Sequence, residues 1–340
     1  MSDKPVTSLA TIRDILSKIP GPDEDAVAMA QEREPNLTKP PGSLGRLEEL
    51  AEWLAAWQGR HPPKVDVPRV LVFAGSHGVT AQGVSAYPAE VTHQMVANFQ
   101  AGGAAINQMC KTQDAELRVL EVAVEVPTRD FSREPAMDDA DCAEAIAFGM
   151  SGVDLGLDVI CAGEMGIGNT TASAAMCHAL YGGSAADWVG PGTGVEGDAL
   201  TNKIRVVEES VMLHKAALTD GLEVLRCFGG REMAAICGAI LTARVSRIPV
   251  LLDGYVTCSA AAALHAMDEK ALDHCVVAHV SAEPGHRRLL EKLDKKPLFD
   301  FGMRLGEGTG AALAISILKT AVACHTGMAT FEEAGVSDKE

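Results

Sequence analysis

The run Leu305-Gly306-Glu307-Gly308-Thr309-Gly310 sets one carboxylate between glycines at the start of an apolar segment, Ala311–Ala323. Neighbours without side chains let a substrate pack against Glu307. Burial under an apolar ligand raises a carboxylate's pKa toward the general-base range, while a helix N-terminus pulls it down. The same residues also read as a glutamate in a first helical turn, complementing the dipole. A second constellation, Gly163-Glu164-Met165-Gly166-Ile167-Gly168-Asn169-Thr170-Thr171, precedes the helical run Ala172–Leu180. Asn169, Thr170 or Thr171 can cap that helix, whose unpaired N–H groups suit a phosphate. A capped helix after a tight turn accounts for the segment as well, and its spacing is neither a Walker loop nor a dinucleotide fingerprint.

In Gly190-Pro191-Gly192-Thr193-Gly194-Val195-Glu196-Gly197, the glycines 192, 194 and 197 satisfy G-x-G-x-x-G. No convincing strand precedes them, so a dinucleotide site is weakly supported. Gly306, Gly308 and Ala311 fit the same loose pattern, which shows how readily it arises. Lys203 reads either as a mobile point charge reaching a phosphate or as a solvated surface lysine. The ten histidines form no HxH or HExxH, and no G-x-S-x-G elbow occurs, so neither a metal, a cofactor nor a serine nucleophile is expected.

These loops need elements to hold them. Short β-rich runs at Val70–Phe73, Leu117–Val124, Leu157–Cys161, Pro249–Leu252 and Cys275–Val280 alternate with helical segments at 90–110, 170–181, 256–267 and 308–324. Alternation of this kind predicts an α/β fold, a doubly wound mostly parallel sheet with helices on both faces. Each polar, glycine-bearing stretch (74–78, 162–171, 253–254 and 281–286) follows a strand. Ligands bind outside the carboxyl ends of such strands, so four loops point at one cleft. Residues 1–66 are polar, proline-punctuated and helical in texture, with Leu44, Leu47, Leu50, Leu54 and Trp57 on one face.

Composition narrows the partners. A net charge of −17 over 340 residues argues against polymeric nucleic acid, which calls for a basic stripe. A single phosphate is not excluded, because several of the 33 glycines stand at helix starts and can offer backbone N–H groups. Nine cysteines, an odd number without a CxxC pair, predict buried free thiols in a reducing cytoplasm. The apolar stretches near 233–252 and 311–324 are broken by Arg244, Arg247 and Lys319. They are expected to fall short of the ~18–20 residues of a membrane span. A cytoplasmic protein without a membrane partner is the expectation.

Lys39-Pro40-Pro41-Gly42-Ser43-Leu44-Gly45-Arg46-Leu47-Glu48 resembles the N-terminal signature of the nicotinate-nucleotide:dimethylbenzimidazole phosphoribosyltransferase family, which acts in assembling the lower nucleotide loop of cobalamin. The resemblance continues in order through Phe73–Val79, Gly163–Thr171, Pro249–Gly254, Ser281–His286 and Arg304–Ala311. It implies transfer of the 5-phosphoribosyl group of nicotinate mononucleotide to dimethylbenzimidazole, giving α-ribazole phosphate and nicotinate with inversion at C1′. Nicotinate leaves from a cationic pyridinium and needs no acid, whereas the incoming benzimidazole must lose its N–H proton. The resemblance makes Glu307 the base that takes it, and Glu164 a contact of the ribose or of an oxocarbenium-like transition state.

By the same resemblance Gly166, Gly168, Asn169, Thr170, Thr171, Gly192, Thr193, Gly194 and Lys203 handle phosphate and ribose. Ser76, Tyr87, Met95, Met165 and Leu305 form a mostly apolar slot for the flat base. Ser76 stands where many members carry aspartate, and Tyr87 where some carry a smaller residue, so acceptor specificity is left open. The resemblance further implies a homodimer, with a small helical domain of 1–66 and 325–340 beside an α/β catalytic domain of 67–324. The alternative is a non-catalytic mononucleotide-binding protein on the same scaffold. An oxidoreductase rests only on the loose glycine patterns.

Overall fold

Strands without polar alternation have to be covered on both faces, and a parallel sheet between helices does this. The computed structural model describes residues 8–337. It contains β1 (Pro68–Ala74), β2 (Glu116–Glu121), β3 (Val159–Met165), β4 (Val250–Leu252) and β5 (Cys275–Val277), all parallel, in the order β2-β1-β3-β4-β5. The register sets Phe73 beside Glu164 and Leu251 beside Val276.

Helices α1 (Leu9–Leu16), α2 (Glu24–Arg33) and α3 (Arg46–Gln58) precede the sheet. Between β1 and β2 run α4 (Val91–Gln100) and α5 (Ala105–Gln113), and between β2 and β3 runs α6 (Asp139–Ser151). The β3–β4 connection carries α7 (Asn169–Tyr181), α8 (Gly197–His214), α9 (Gly221–Phe228) and α10 (Arg231–Val245). After β4 come α11 (Tyr255–His265), then β5, α12 (Pro284–Lys292), α13 (Thr309–Gly327) and α14 (Phe331–Ala334).

Alternate strand residues feed two cores. Leu71, Phe73, Ile160, Leu252 and Val277 pack with Leu9, Ile146, Met176, Leu225 and Ile240 of α1, α6, α7, α9 and α10. Val70, Val72, Val159, Leu251 and Val276 pack with Leu50, Leu54, Ile106, Ile315 and Leu318 of α3, α5 and α13. The doubly wound α/β architecture is therefore present, with helices on both faces. All nine cysteines are free, and eight are buried.

The N- and C-terminal segments meet. Arg33 donates to the carbonyls of His325, Thr326 and Met328, satisfying oxygens that the end of α13 leaves without partners. Lys39 is buried between Glu34 (2.9 Å) and Glu48 (2.8 Å), and the Glu48 carboxylate also accepts the N–H groups of Gly42 and Leu44. The Lys39–Glu48 signature is thus an ion cluster that folds the turn ahead of α3. Helix α1 instead joins the first core through Leu9, Ile12 and Leu16.

Three local expectations are corrected. Strand β2 is a half-exposed edge that stops at Glu121, and Ala123 turns the chain with a φ of 52°. The helical stretch 90–110 is two helices, broken at Gly102-Gly103. Lys319 does not interrupt its helix: α13 runs 19 residues, long and apolar enough to cross a membrane by length and composition. Its inner residues Ala311, Ala314, Ile315, Leu318 and Ala321 lie in the second core, while Lys319 Nζ donates to the Gln113 carbonyl.

Candidate active site

Strand order reverses between β1 and β3, and loops from the carboxyl ends of β1, β3, β4 and β5 converge there. A cleft of about 560 Å³ opens at this switch point. Of the residues singled out from sequence, Tyr87, Glu164, Met165, Gly166, Asn169, Thr170, Gly192, Thr193 and Leu305 line it. Tyr87 and Leu305 stand at its mouth, each more than half exposed.

One wall is acidic. Glu164, near the carboxyl end of β3, is buried and accepts a hydrogen bond from the Asn169 side chain. Burial, then the charges of Asp253 and Glu232, push its carboxyl up to about 8, with Asn169 offsetting them in part and Glu307 adding to them. Gly306 leans directly on this carboxylate, and a Cβ there would collide with Glu164 Oε1. Glu307 follows with a φ of 62°, between Gly306 at 81° and Gly308 at 80°. Three consecutive residues in the left-handed region are costly for the one with a side chain, so the turn is held from outside. Asp253 holds it, accepting the N–H groups of Gly308 (3.2 Å) and Ala311 (3.0 Å) at the start of α13.

Glu307 itself lies behind the lining residues Leu305 and Gly306. It is buried, and its Oε2 has no hydrogen-bond partner. Burial raises its carboxyl to about 7, opposed by a hydrogen bond from the Ile106 N–H and reinforced by the charge of Asp253. A carboxyl poised near neutrality is suited to take a proton.

The facing wall carries Arg304, and Lys203 lies behind its Thr170, outside the lining. Lys203, from α8, is 1% exposed rather than solvated, and its Nζ donates to Thr170 Oγ1 (2.9 Å) and the Gly190 carbonyl (3.0 Å). Burial lowers the ammonium to about 8, with Glu283 pulling it back up. Glu283 Oε1 accepts the Gly192 N–H (2.9 Å), and Arg304 donates to the Gly192 carbonyl (2.9 Å). The loop that carries Gly192 and Thr193 is therefore fixed between two cations and one carboxylate.

Several sequence assignments fall elsewhere. Ser76 is buried, and its hydroxyl donates to the Val124 carbonyl (2.7 Å), so it does not line the cleft. Met95 packs against the second core. Gly168 caps α7 with a φ of 98°, Thr171 is fully buried with an unpartnered hydroxyl, and Gly194 stands outside the lining. Conversely, Arg304, Glu283, Ser281, His279 and Tyr255 do line the cleft. Ser281 and Glu283 stand in a post-strand loop legible as ligand-facing, whereas His279 falls in a run expected as strand, Tyr255 lies just past the 253–254 loop, and Arg304 belongs to a segment marked only by the resemblance. His279 Nε2 lies 3.5 Å from Asp253 Oδ1; burial works against its proton, and the Asp253 hydrogen bond and charge outweigh it, raising the pKa.

Comparison with known proteins bears on this cleft. The profile of a family described as phosphoribosyltransferase matches residues 19–336. The chain is 59% identical over 328 residues to the nicotinate-nucleotide–dimethylbenzimidazole phosphoribosyltransferase of Rhizobium meliloti (strain 1021), covering 96% of this chain and 97% of that protein. It is 58% identical over 331 residues to the enzyme of the same name from Methylocella silvestris, covering 97% of each. The fold is similar to the crystal structure of CobT from Thermus thermophilus, with a TM-score of 0.87 and 41% identity over 93% of this chain and all of that one.

Proposed function

As the chain belongs to the nicotinate-nucleotide–dimethylbenzimidazole phosphoribosyltransferase family and is a phosphoribosyltransferase, we propose how its cleft divides the reaction between its two walls. The 5-phosphate of nicotinate mononucleotide is held on the Lys203 side, by Thr170, the Gly192-Thr193 loop and Arg304. The ribose sits against Glu164 and Asn169. Its C1′ gains positive character as the bond to the pyridinium nitrogen lengthens, and the Glu164 carboxylate offsets that charge. Dimethylbenzimidazole enters past Tyr87, Met165 and Leu305, attacks C1′ through one ring nitrogen, and loses the proton of the other to Glu307. The products are α-ribazole phosphate and nicotinate.

The observation supporting this division most directly is that one cleft is lined by the buried carboxyl of Glu164 and also by Thr170, Gly192 and Arg304, with the buried Lys203 ammonium behind Thr170. An anionic phosphate and a cationic pyridinium on one small molecule match those two walls. Incubation with nicotinate mononucleotide and dimethylbenzimidazole, followed by chromatography, is expected to give nicotinate and α-ribazole phosphate in equal amounts. Tight nucleotide binding with no nicotinate released would leave a binding protein instead. A homodimer acting in the cytoplasm completes the proposal; sedimentation at twice 35.6 kDa checks the assembly.

A further inference from the structure

Beneath the cleft lies a buried pair that the steps above do not use. His77, in the loop after β1, and Glu232, in the first turn of α10, have side chains 1% and 0% exposed, with His77 Nε2 2.6 Å from Glu232 Oε1. Two of their polar atoms, His77 Nδ1 and Glu232 Oε2, are buried without partners. Such a pair is costly to bury, and a hydrophobic contact of the same shape stabilises a core at least as well. The surroundings are nevertheless built for it. A Cβ on Gly75 or on Gly230 would collide with Glu232 Oε2.

The pair reaches the cleft by two routes. Mechanically, the His77 ring lies under the loop after β3: a Cβ on Gly166 would meet its Cδ2 and Nε2 at 3.2 Å, and one on Gly168 would meet its Cβ at 3.3 Å. That loop is tied to the β1 loop by the Gly75 N–H on the Met165 carbonyl (2.9 Å), and Met165 and Gly166 line the cleft. Electrostatically, Glu164 is faced by Asp253 from the β4–α11 loop, Glu232 from α10, Asn169 from α7 and Glu307 from the turn before α13. Among the carboxylates, Glu232 ranks after Asp253 in raising the Glu164 proton affinity.

We propose that His77 and Glu232 form a positioning dyad for the transfer: His77 props the Gly166–Gly168 loop from beneath, and Glu232 sets a fixed charge behind Glu164. The dyad touches neither substrate. Its role rests on the reading of the cleft as the nucleotide site, with Glu164 ionised when it faces the ribose. Neutralising Glu232 eases ionisation of Glu164, so the acid limb of kcat/KM for the nucleotide moves to lower pH.

The test is steady-state kinetics of the full chain from pH 5.5 to 9.5, with nicotinate mononucleotide and dimethylbenzimidazole varied separately. Glu232→Gln is expected to shift the acid limb down by about 0.5 pH unit or more and to raise KM for the nucleotide about fivefold, leaving KM for the base within about twofold. His77→Gln keeps the Glu232 charge and a donor toward it; it is expected to raise the nucleotide KM with the limb unmoved. Wild-type KM and limb in both variants overturn the dyad, as does an equal shift of the limb in both. Should Glu232→Gln fail to fold, the His77→Gln result alone decides, since a wild-type nucleotide KM there overturns the prop. Absence of nicotinate release by the wild type is a different result, and it removes the reading of the cleft rather than the dyad.

Discussion

The two walls of the cleft carry opposite charge balances: Lys203 and Arg304 with one carboxylate, Glu283, on one, and Glu164, Asp253 and Glu307 on the other. On the Lys203 wall each charged side chain has at least one fixed partner: the ammonium donates to Thr170 and Gly190, and Glu283 and Arg304 grip the Gly192 backbone from either side, with Glu283 Oε2 left without a donor. On the Glu164 wall the donors are Asn169 and backbone N–H groups, the neighbouring carboxylates raise the Glu164 proton affinity, and Glu307 keeps an oxygen with no donor. The first wall holds its cations in place before a ligand arrives, and the second gains positive charge from one. Preorganised donors suit a phosphate whose charge is constant through the reaction, whereas crowded acids suit a centre whose positive charge grows in the transition state.

Removing the proton acceptor strikes the second wall hardest. Glu307→Gln is expected to lower kcat by ~10² or more with KM for the nucleotide changed only a few-fold. A loss confined to KM would erase the distinction between the walls. On the first wall, Lys203→Met is expected to raise KM for nicotinate mononucleotide by about tenfold or more while kcat falls less. A kcat loss matching that of the Glu307 variant would put both walls in the chemical step. The pH dependence follows from the second wall. Glu307, raised to about 7, must be ionised to accept a proton, so kcat is expected to fall as pH drops through about 7. Glu307→Gln is expected to remove the component near 7 and to keep the Glu164 component near 8, and an unchanged profile in this variant assigns the limb to another group.

The smallest effect is on stability. The Glu164 carboxyl is raised from its ordinary 4.5 to about 8 in the fold, so the folded state favours its protonated form. The resulting stabilisation is complete below about 4.5 and is lost as pH rises through about 8. Glu164→Gln is therefore expected to melt higher than wild type at pH 9 and to close that gap toward pH 5, as calorimetry at the two pH values would read. An unchanged difference would mean that this wall carries no burial penalty.

Much of the scaffold was legible because its signals are local. Four of the five runs stood out as strands because both of their faces are buried, the edge strand β2 being half exposed, and the glycine-bearing loops after β1, β3, β4 and β5 marked the cleft. Boundaries were lost where tertiary context decides. Gly102-Gly103 splits a helical pattern that is continuous in residue type, and Lys319 is accommodated at the rim of α13 by the Gln113 carbonyl. Within the site, sequence adjacency did not reveal side-chain direction. Ser76 neighbours the cleft loop yet spends its hydroxyl on Val124, and Met95 turns to the second core. Arg304 and Glu283 act through Gly192, which lies far from both in the chain, so no local pattern marks them.

The nine free thiols give the molecule a built-in clock. Eight are sealed in the two cores and against the helices that cover them, and Cys324, near the end of α13, is the one partly open to solvent. A thiol reagent added to the native protein therefore counts one fast site, and each slow site afterwards records an opening of the layer that hides it. Because Cys110 and Cys161 belong to one core and Cys142, Cys237 and Cys258 to the other, peptide mapping of the labels times the two layers separately. Cys324 doubles as a single attachment point, on the helix whose first turn follows Glu307.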